Sequence, residues 1–124
     1  MKENIQISEA ELEVMKLLWK NKKMTSPEIV EELLKTSEWK DKTILTLINR
    51  LVKKGAVNAE KESGKAFLYS ANINEDEYKQ EQSNSLINKL FNGSISLMMS
   101  NFVKSNNISS EDIEELKKIL ESSE

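Results

Sequence analysis

The chain has 124 residues, of which 38% are hydrophobic and 31% are charged, and its formal net charge at pH 7 is −3. This length suits one modest domain, or a small domain joined to an oligomerisation element. Because the chain contains no cysteine and no histidine, its composition excludes disulfides, thiol chemistry, Cys/His metal sites and any catalytic triad that needs histidine.

The charges are unevenly distributed along the chain. Residues 38–65 hold seven Lys or Arg and four Asp or Glu, whereas residues 74–124 hold five and ten. A basic centre beside an acidic C-terminal half indicates a molecule with two parts, in which the local field matters more than the total charge. No apolar run reaches the length of a membrane span, and the first residues lack the apolar core of a signal peptide. We therefore expect a cytoplasmic protein without membrane insertion of its own.

The first two helices are marked by their starting residues. Ser8 and Glu11 have the spacing of a capping box, which predicts a helix over about residues 8–21. Ser26 followed by Pro27 predicts a second helix with Ser26 at its N-cap and its end near Thr36.

The third predicted helix, DKTILTLINRLVKKG (residues 41–55), has two contrasting faces. Its apolar residues recur at helical spacing and form one stripe: Ile44, Leu47, Ile48 and Leu51. Polar residues form the opposite stripe, flanked by two more at its edges: Lys42, Thr46, Asn49 and Lys53, with Thr43 and Arg50. Asp41 suits the N-cap and Gly55 suits the left-handed position after the helix. Such side chains reach base edges and phosphates in a DNA major groove, although a solvated basic face is the alternative.

A hairpin is predicted directly after this helix. Residues 57–61 and 66–71 have strand composition, and the intervening Gly64 suits a turn. A hairpin after a recognition helix is typical of a winged helix. Lys61 and Lys65 near its tip are then candidates for phosphate contact, the alternative being that they only keep an exposed hairpin soluble.

Three further helices are predicted in the C-terminal part. Asn74 with Glu77, Ser94, and Ser109 with Asp112 each mark a helix start. Fifty-one residues bury only a small core alone, yet they carry many large apolar side chains, which favours a two-fold dimer. We predict a mainly α fold with a small β-hairpin wing, in which residues 1–73 form a winged helix-turn-helix DNA-binding domain and residues 74–124 a three-helix dimerisation domain. The predicted interface consists of Leu86, Leu90, Phe91, Leu97, Met98, Phe102, Ile113, Leu116 and Leu120.

The residues support binding rather than catalysis. The sequence has no Gly-rich phosphate loop and no pattern typical of an enzyme, so we expect a non-enzymatic protein without a cofactor or metal. A dimer would place one recognition helix on each half-site of a dyad in double-stranded DNA. Thr43, Thr46 and Arg50 are the candidates for base contacts, and Leu45 flanks them where it could reach a thymine methyl group.

Several segments resemble the BlaI/MecI repressors of bacterial β-lactamase and methicillin-resistance operons. They are ISEAELEVMKLLW (7–19), KTILTLINRLVKKG (42–55), FLYS (67–70), SLINKLFNGS (85–94), NFV (101–103) and ISSEDIEELKKIL (108–120). The resemblance implies a dimeric winged-helix repressor that binds palindromic operators through Lys42, Thr43, Thr46 and Arg50. It also implies inactivation by a membrane-bound β-lactam-sensing metalloprotease, which would cut between Asn101 and Phe102.

Two positions depart from the pattern of that family. Leu45 stands where the resemblance leads us to expect arginine, and Asp41 where it leads us to expect proline. Operator preference therefore stays open. Two alternatives also remain: a repressor of the same family that serves an unrelated operon, and a winged-helix adaptor that binds proteins rather than DNA, which the net negative charge favours.

Overall fold

The computed structural model describes residues 5–61 and 66–123. Its elements, in chain order, are α1 (Glu9–Asn21), β1 (Met24–Thr25), α2 (Ser26–Thr36), α3 (Asp41–Lys54), β2 (Val57–Lys61), β3 (Phe67–Ala71), α4 (Glu75–Phe91), α5 (Ile95–Lys104) and α6 (Ser110–Ser122). The chain divides into two compact units within α4, after Tyr78. We call them the N-terminal unit and the C-terminal unit.

The start of α1 confirms the predicted capping box. The backbone N–H of Glu11 donates to Ser8 Oγ at 3.1 Å, and the backbone N–H of Ser8 donates to Glu11 Oε1 at 2.9 Å. Both bonds satisfy amides that have no partner within the helix. The helix then buries Val14, Met15 and Leu18.

The predicted N-cap of α2 is wrong by one residue. Thr25 is the N-cap: its Oγ1 accepts from the backbone N–H of Glu28 at 3.4 Å, and Glu28 Oε1 accepts from the backbone N–H of Thr25 at 2.8 Å. The reason is spacing, because a capping box needs Glu or Gln three residues after the cap. Thr25 has Glu28 at that distance, whereas Ser26 has the apolar Ile29.

The predicted N-cap of α3 is also wrong. Lys40 is the N-cap and makes no side-chain capping bond, while Asp41 is the first helical residue. The backbone N–H of Ile44 donates to the Lys40 carbonyl at 3.1 Å, so the hydrogen-bonded ladder begins one residue earlier than predicted. Asp41 still favours the helix start, since its carboxylate lies at the positive end of the helix dipole.

The apolar stripe of α3 lies in the core, as predicted. Ile44 and Leu51 are fully buried, and Leu47 and Ile48 are nearly so. Gly55 ends the helix with φ at +84°, a left-handed conformation that a side chain would strain. The chain can therefore turn at once into Ala56 and Val57, which are also buried.

The strands form an antiparallel sheet in the order β1, β3, β2, in which β1 precedes α2 and the other two strands follow α3. The hairpin pairs Val57 with Ala71 and Lys61 with Phe67, which confirms the two predicted strands. The predicted turn at Gly64 lies outside the described residues. Sequence reasoning missed β1, where Met24 pairs with Tyr69, because a strand of two residues has no periodicity. With α1–α3, this sheet forms the predicted winged helix-turn-helix.

The three C-terminal helices begin where the sequence predicts. The backbone N–H of Glu77 donates to Asn74 Oδ1 at 3.0 Å, that of Leu97 donates to Ser94 Oγ at 3.1 Å, and that of Asp112 donates to Ser109 Oγ at 3.0 Å. None of the residues described in these helices is buried. Across residues 5–61 and 66–123, no helix has both the length and the apolar character needed to cross a bilayer.

Trp19 anchors the segment that leads into α4. Its indole N–H donates to the carbonyl of Ile73 at 2.8 Å, and its ring lies 5.7 Å from that of Tyr78, centroid to centroid. Partial burial raises the pKa of the Tyr78 phenol. The start of α4 is thus fixed to the last turns of α1.

A partly buried ion pair joins the end of α3 to the start of α1. The Glu11 side chain is only 3% exposed, and one of its oxygens accepts from Lys54 Nζ at 2.5 Å. Lys54 also donates to the carbonyl of Gln6 at 2.7 Å. Burial alone would raise the pKa of the Glu11 carboxyl, but the hydrogen bonds from Lys54 and Ser8 outweigh burial and hold the pKa below its usual value of 4.5.

We expect Lys54→Met to lower the free energy of unfolding by roughly 1–2 kcal/mol at pH 7, because it leaves a buried carboxylate without its cation. A depressed pKa stabilises the native state above the unfolded-state pKa, and this contribution disappears as pH falls through the folded-state pKa. The gap between wild type and variant should therefore narrow below about pH 4.5. Urea unfolding followed by circular dichroism measures this, with the exposed Lys53→Met as control. A gap that is independent of pH would contradict the assignment.

Candidate nucleic-acid interface

The outward face of α3 presents a continuous polar surface. Because the opposite side is fixed in the core, all six predicted contact residues of this helix are exposed: Lys42, Thr43, Thr46, Asn49, Arg50 and Lys53. We call this set the α3 polar face. It combines cationic groups that can bind phosphates with hydroxyl and amide groups that can bond to base edges.

The cations of the α3 polar face are available for an external partner. Within the described part of the chain, Lys42, Arg50 and Lys53 form no ion pair. Lys54 follows Lys53 directly but is engaged by Glu11 and by the Gln6 carbonyl. The sequence alone does not distinguish Lys54 from these three cations, because the contacts of Lys54 are tertiary.

The Thr46 hydroxyl already forms one hydrogen bond within α3. Its hydroxyl donates to the carbonyl of Lys42 at 2.9 Å, one turn earlier. The oxygen lone pairs and the methyl group remain exposed on the α3 polar face. Thr46 can therefore accept a hydrogen bond from a base amine or contact a thymine methyl group.

The hairpin places one predicted lysine on the surface. Lys61 Nζ lies 5.0 Å from the centroid of the Phe67 ring, which is 42% exposed, so a cation–π contact holds this lysine near the end of β2. The neighbouring Glu60 pairs with Lys23 at 3.3 Å. The other predicted lysine of the hairpin, Lys65, lies outside the described residues.

The C-terminal unit exposes much of its apolar surface. Among the predicted interface residues, Leu90 and Leu120 are 66% and 67% exposed. Leu86 and Leu97 are also exposed, and the rest are half-buried: Phe91, Met98, Phe102, Ile113 and Leu116. Sequence reasoning left out three equally exposed apolar residues of the same helices, Ile95, Val103 and Ile119. The sequence did contain a signal for these three residues, because they belong to the same apolar runs as the predicted interface residues.

Two further features of this unit bear on its function. A groove of about 400 Å³ runs between α5 and α6, with Phe102, Leu116 and Ile119 on its wall. The bond between Asn101 and Phe102 lies inside α5. The Asn101 carbonyl accepts from the Ser105 N–H at 3.1 Å, and the Phe102 carbonyl accepts from the Asn107 N–H at 3.1 Å.

The geometry is that of a binding surface. Across the described residues, no three Asp, Glu, His or Cys side chains cluster in a way that could hold a metal ion. The notable features are instead the α3 polar face in the N-terminal unit and the exposed apolar surface in the C-terminal unit.

Comparison with known proteins agrees with this reading. A family model described as penicillinase repressor matches residues 7–122. The penicillinase repressor of Bacillus licheniformis is 47% identical over 121 residues, which cover 98% of this chain and 94% of that protein. The methicillin resistance regulatory protein MecI of Staphylococcus aureus (strain N315) is 39% identical over 115 residues, covering 93% of each.

A solved structure is also similar to this chain. It is the solution structure of the B. licheniformis BlaI monomeric form in complex with the blaP half-operator. It shares 52% sequence identity with a TM-score of 0.55, and the match covers 63% of this chain and 94% of that one. The extent of the family match and the identity to full-length relatives lead to one conclusion: this chain belongs to the penicillinase repressor family.

Proposed function

We propose that this protein is a dimeric, sequence-specific DNA-binding repressor of a β-lactamase or related antibiotic-resistance operon. The observation that carries the proposal is the α3 polar face, whose cations lack protein partners within the described residues while its other side is locked in the core. The solved relative whose structure holds the blaP half-operator supports it, since that protein is 52% identical to this chain over a match that covers 63% of it.

In this proposal α3 lies in the major groove of double-stranded DNA. Arg50 can form two parallel hydrogen bonds to a guanine, while Thr43, Thr46 and Asn49 contact neighbouring base edges. Lys42 and Lys53 contact phosphates, which gives affinity without sequence preference. Lys61 and Lys65 of the hairpin contact the flanking backbone.

The net charge of −3 does not oppose this mode of binding. The acidic excess belongs to residues 74–124, whereas residues 38–65 carry an excess of Lys and Arg. Interactions between exposed charges fade beyond a Debye length of about 8 Å at physiological salt. The cations nearest to a phosphate on α3 are therefore the charges that act on it most strongly.

Residues 74–124 would hold two copies together. A unit without a buried residue in its described part, and with leucines at 66% and 67% exposure, leaves apolar area that a second copy can cover. A two-fold dimer would present two α3 helices to a palindromic operator. Once one half-site is bound, the second binds at a high effective concentration, so the pair binds far more tightly than one copy.

Proteolysis would end repression by separating the copies. The cut follows from the family resemblance and lies between Asn101 and Phe102, made by a membrane-bound β-lactam-sensing metalloprotease. Because this bond lies within a hydrogen-bonded helix, the last turn of α5 must open before a protease can bind it in extended form. Cleavage would separate α6, together with every residue that lines the α5–α6 groove, from the rest of the chain. Mass spectrometry of the proteolytic fragments tests this step. An N-terminal fragment that ends at Asn101 supports it, and a fragment that ends at another residue contradicts it.

DNA recognition is tested first with Arg50→Ala on a duplex carrying the blaP half-operator. We expect affinity to fall by about 5- to 150-fold, which corresponds to the loss of one bidentate base contact worth about 1–3 kcal/mol. Lys53→Ala should instead reduce the slope of log affinity against log salt by about 1. Gel-shift titration at several salt concentrations measures both.

The matched control for this titration is Lys117→Ala, which removes a cation from the C-terminal unit. We expect it to bind like wild type. Unchanged binding by Arg50→Ala would remove that residue from the site. A wild-type protein that binds no duplex even at low salt would favour a protein–protein adaptor.

Dimerisation is tested with Leu90→Glu, which puts a charge on the apolar surface of α4. We expect the variant to sediment as a monomer at micromolar concentration, where wild type sediments as a dimer. Its affinity for two inverted half-operators should fall by at least tenfold, while its affinity for a single half-operator should stay unchanged. The control is Ser85→Glu, an exposed position on the other side of α4. A dimeric Leu90→Glu protein would contradict the assigned interface.

A further inference from the structure

An exposed apolar groove lies along the edge between α2 and α3. It encloses about 430 Å³, and its apolar wall consists of Pro27, Val30, Leu34 and Leu45. Leu34 and Leu45 are 43% and 40% exposed. The carboxylate-bearing residues Glu31 and Asp41 line the same groove. No part of the proposed function so far uses this surface.

Leu45 belongs to the recognition helix itself rather than to the core. It follows Lys42 by three residues and precedes Asn49 by four, so these three side chains lie on neighbouring positions of one helix surface. Leu45 therefore lies at the edge of the α3 polar face, beside two of its members. Any DNA that engages Lys42 and Asn49 must also approach the leucine.

The chemistry of the groove selects among the groups that DNA presents. Glu31 and Asp41 disfavour a phosphate, because like charges repel. Leucine methyl groups neither donate nor accept hydrogen bonds, so polar base edges gain nothing there. The C5-methyl group of thymine is the apolar group that the major groove displays, and it distinguishes thymine from cytosine.

We propose that Leu45 is a specificity-determining residue that selects thymine by packing against its C5-methyl group at the α2–α3 edge. This inference rests on the proposed function, since it requires α3 to lie in the major groove. The Leu45 contact would recognise a base through burial of an apolar group, whereas the other proposed base contacts of α3 recognise bases through hydrogen bonds. Leu34, on α2, forms the groove wall and does not touch the base.

The test replaces each thymine of the blaP half-operator duplex, one at a time, by deoxyuridine, which lacks only the methyl group. At one position we expect wild type to bind about fourfold more weakly, the equivalent of one buried methyl at about 0.8 kcal/mol. Leu45→Ala should bind the unmodified duplex more weakly than wild type and show less than a 1.5-fold response to the same replacement. Leu34→Ala, equally exposed in the same groove, should keep the fourfold response.

The possible outcomes distinguish a failure of this inference from a failure of the proposed function. A scan in which no deoxyuridine weakens wild-type binding would overturn the inference and leave the proposed function standing. An equal deoxyuridine effect in wild type and Leu45→Ala would also overturn it, because the methyl group would then contact another residue. Failure of wild type to bind the unmodified duplex even at low salt would overturn the proposed function, and this inference with it.

Discussion

Burial of apolar side chains in the N-terminal unit is the constraint on which the rest of the molecule depends. Among the described residues, every buried side chain lies between Glu11 and Val57. Four of them belong to α3, and their removal from water fixes the rotation of that helix about its axis. The α3 polar face must then point outward. The position of the candidate interface is thus a consequence of core packing, and the ion pair of Glu11 with Lys54 adds a second point of attachment.

The C-terminal unit lacks such burial among its described residues. Its helices are well capped, by Ser94 and Ser109 among others, yet its described residues include none that is buried. Capping defines where helices begin, but it does not supply the apolar burial that stabilises a domain. In the proposed account a second copy supplies that burial. Stability of the tail and affinity for DNA then depend on the same interface, and a cut in α5 would remove both.

Sequence patterns predicted most of the features that depend on neighbours along the chain. The boxes at Ser8 and Ser109, the buried stripe of α3 and the two hairpin strands all have short-range signals, and the structure contains them. Features that depend on distant residues were missed. Strand β1 exists only because Met24 meets Tyr69, and Lys54 is engaged only because the fold brings Glu11 to it across 43 positions. The N-cap of α2 is Thr25 and not Ser26. The Thr25–Glu28 spacing was a local signal for this, but the prediction relied on Pro27 instead.

We expect the C-terminal unit to be stable only when it is paired with a second copy. Both tryptophans of the chain, Trp19 and Trp39, lie in the N-terminal unit, so their fluorescence follows that unit alone, whereas far-ultraviolet circular dichroism follows the helices of both units. Thermal unfolding of the full chain over roughly two decades of protein concentration tests the claim. We expect part of the circular dichroism transition to move to higher temperature as concentration rises, while the fluorescence transition stays fixed. Two transitions that both ignore concentration would contradict the account.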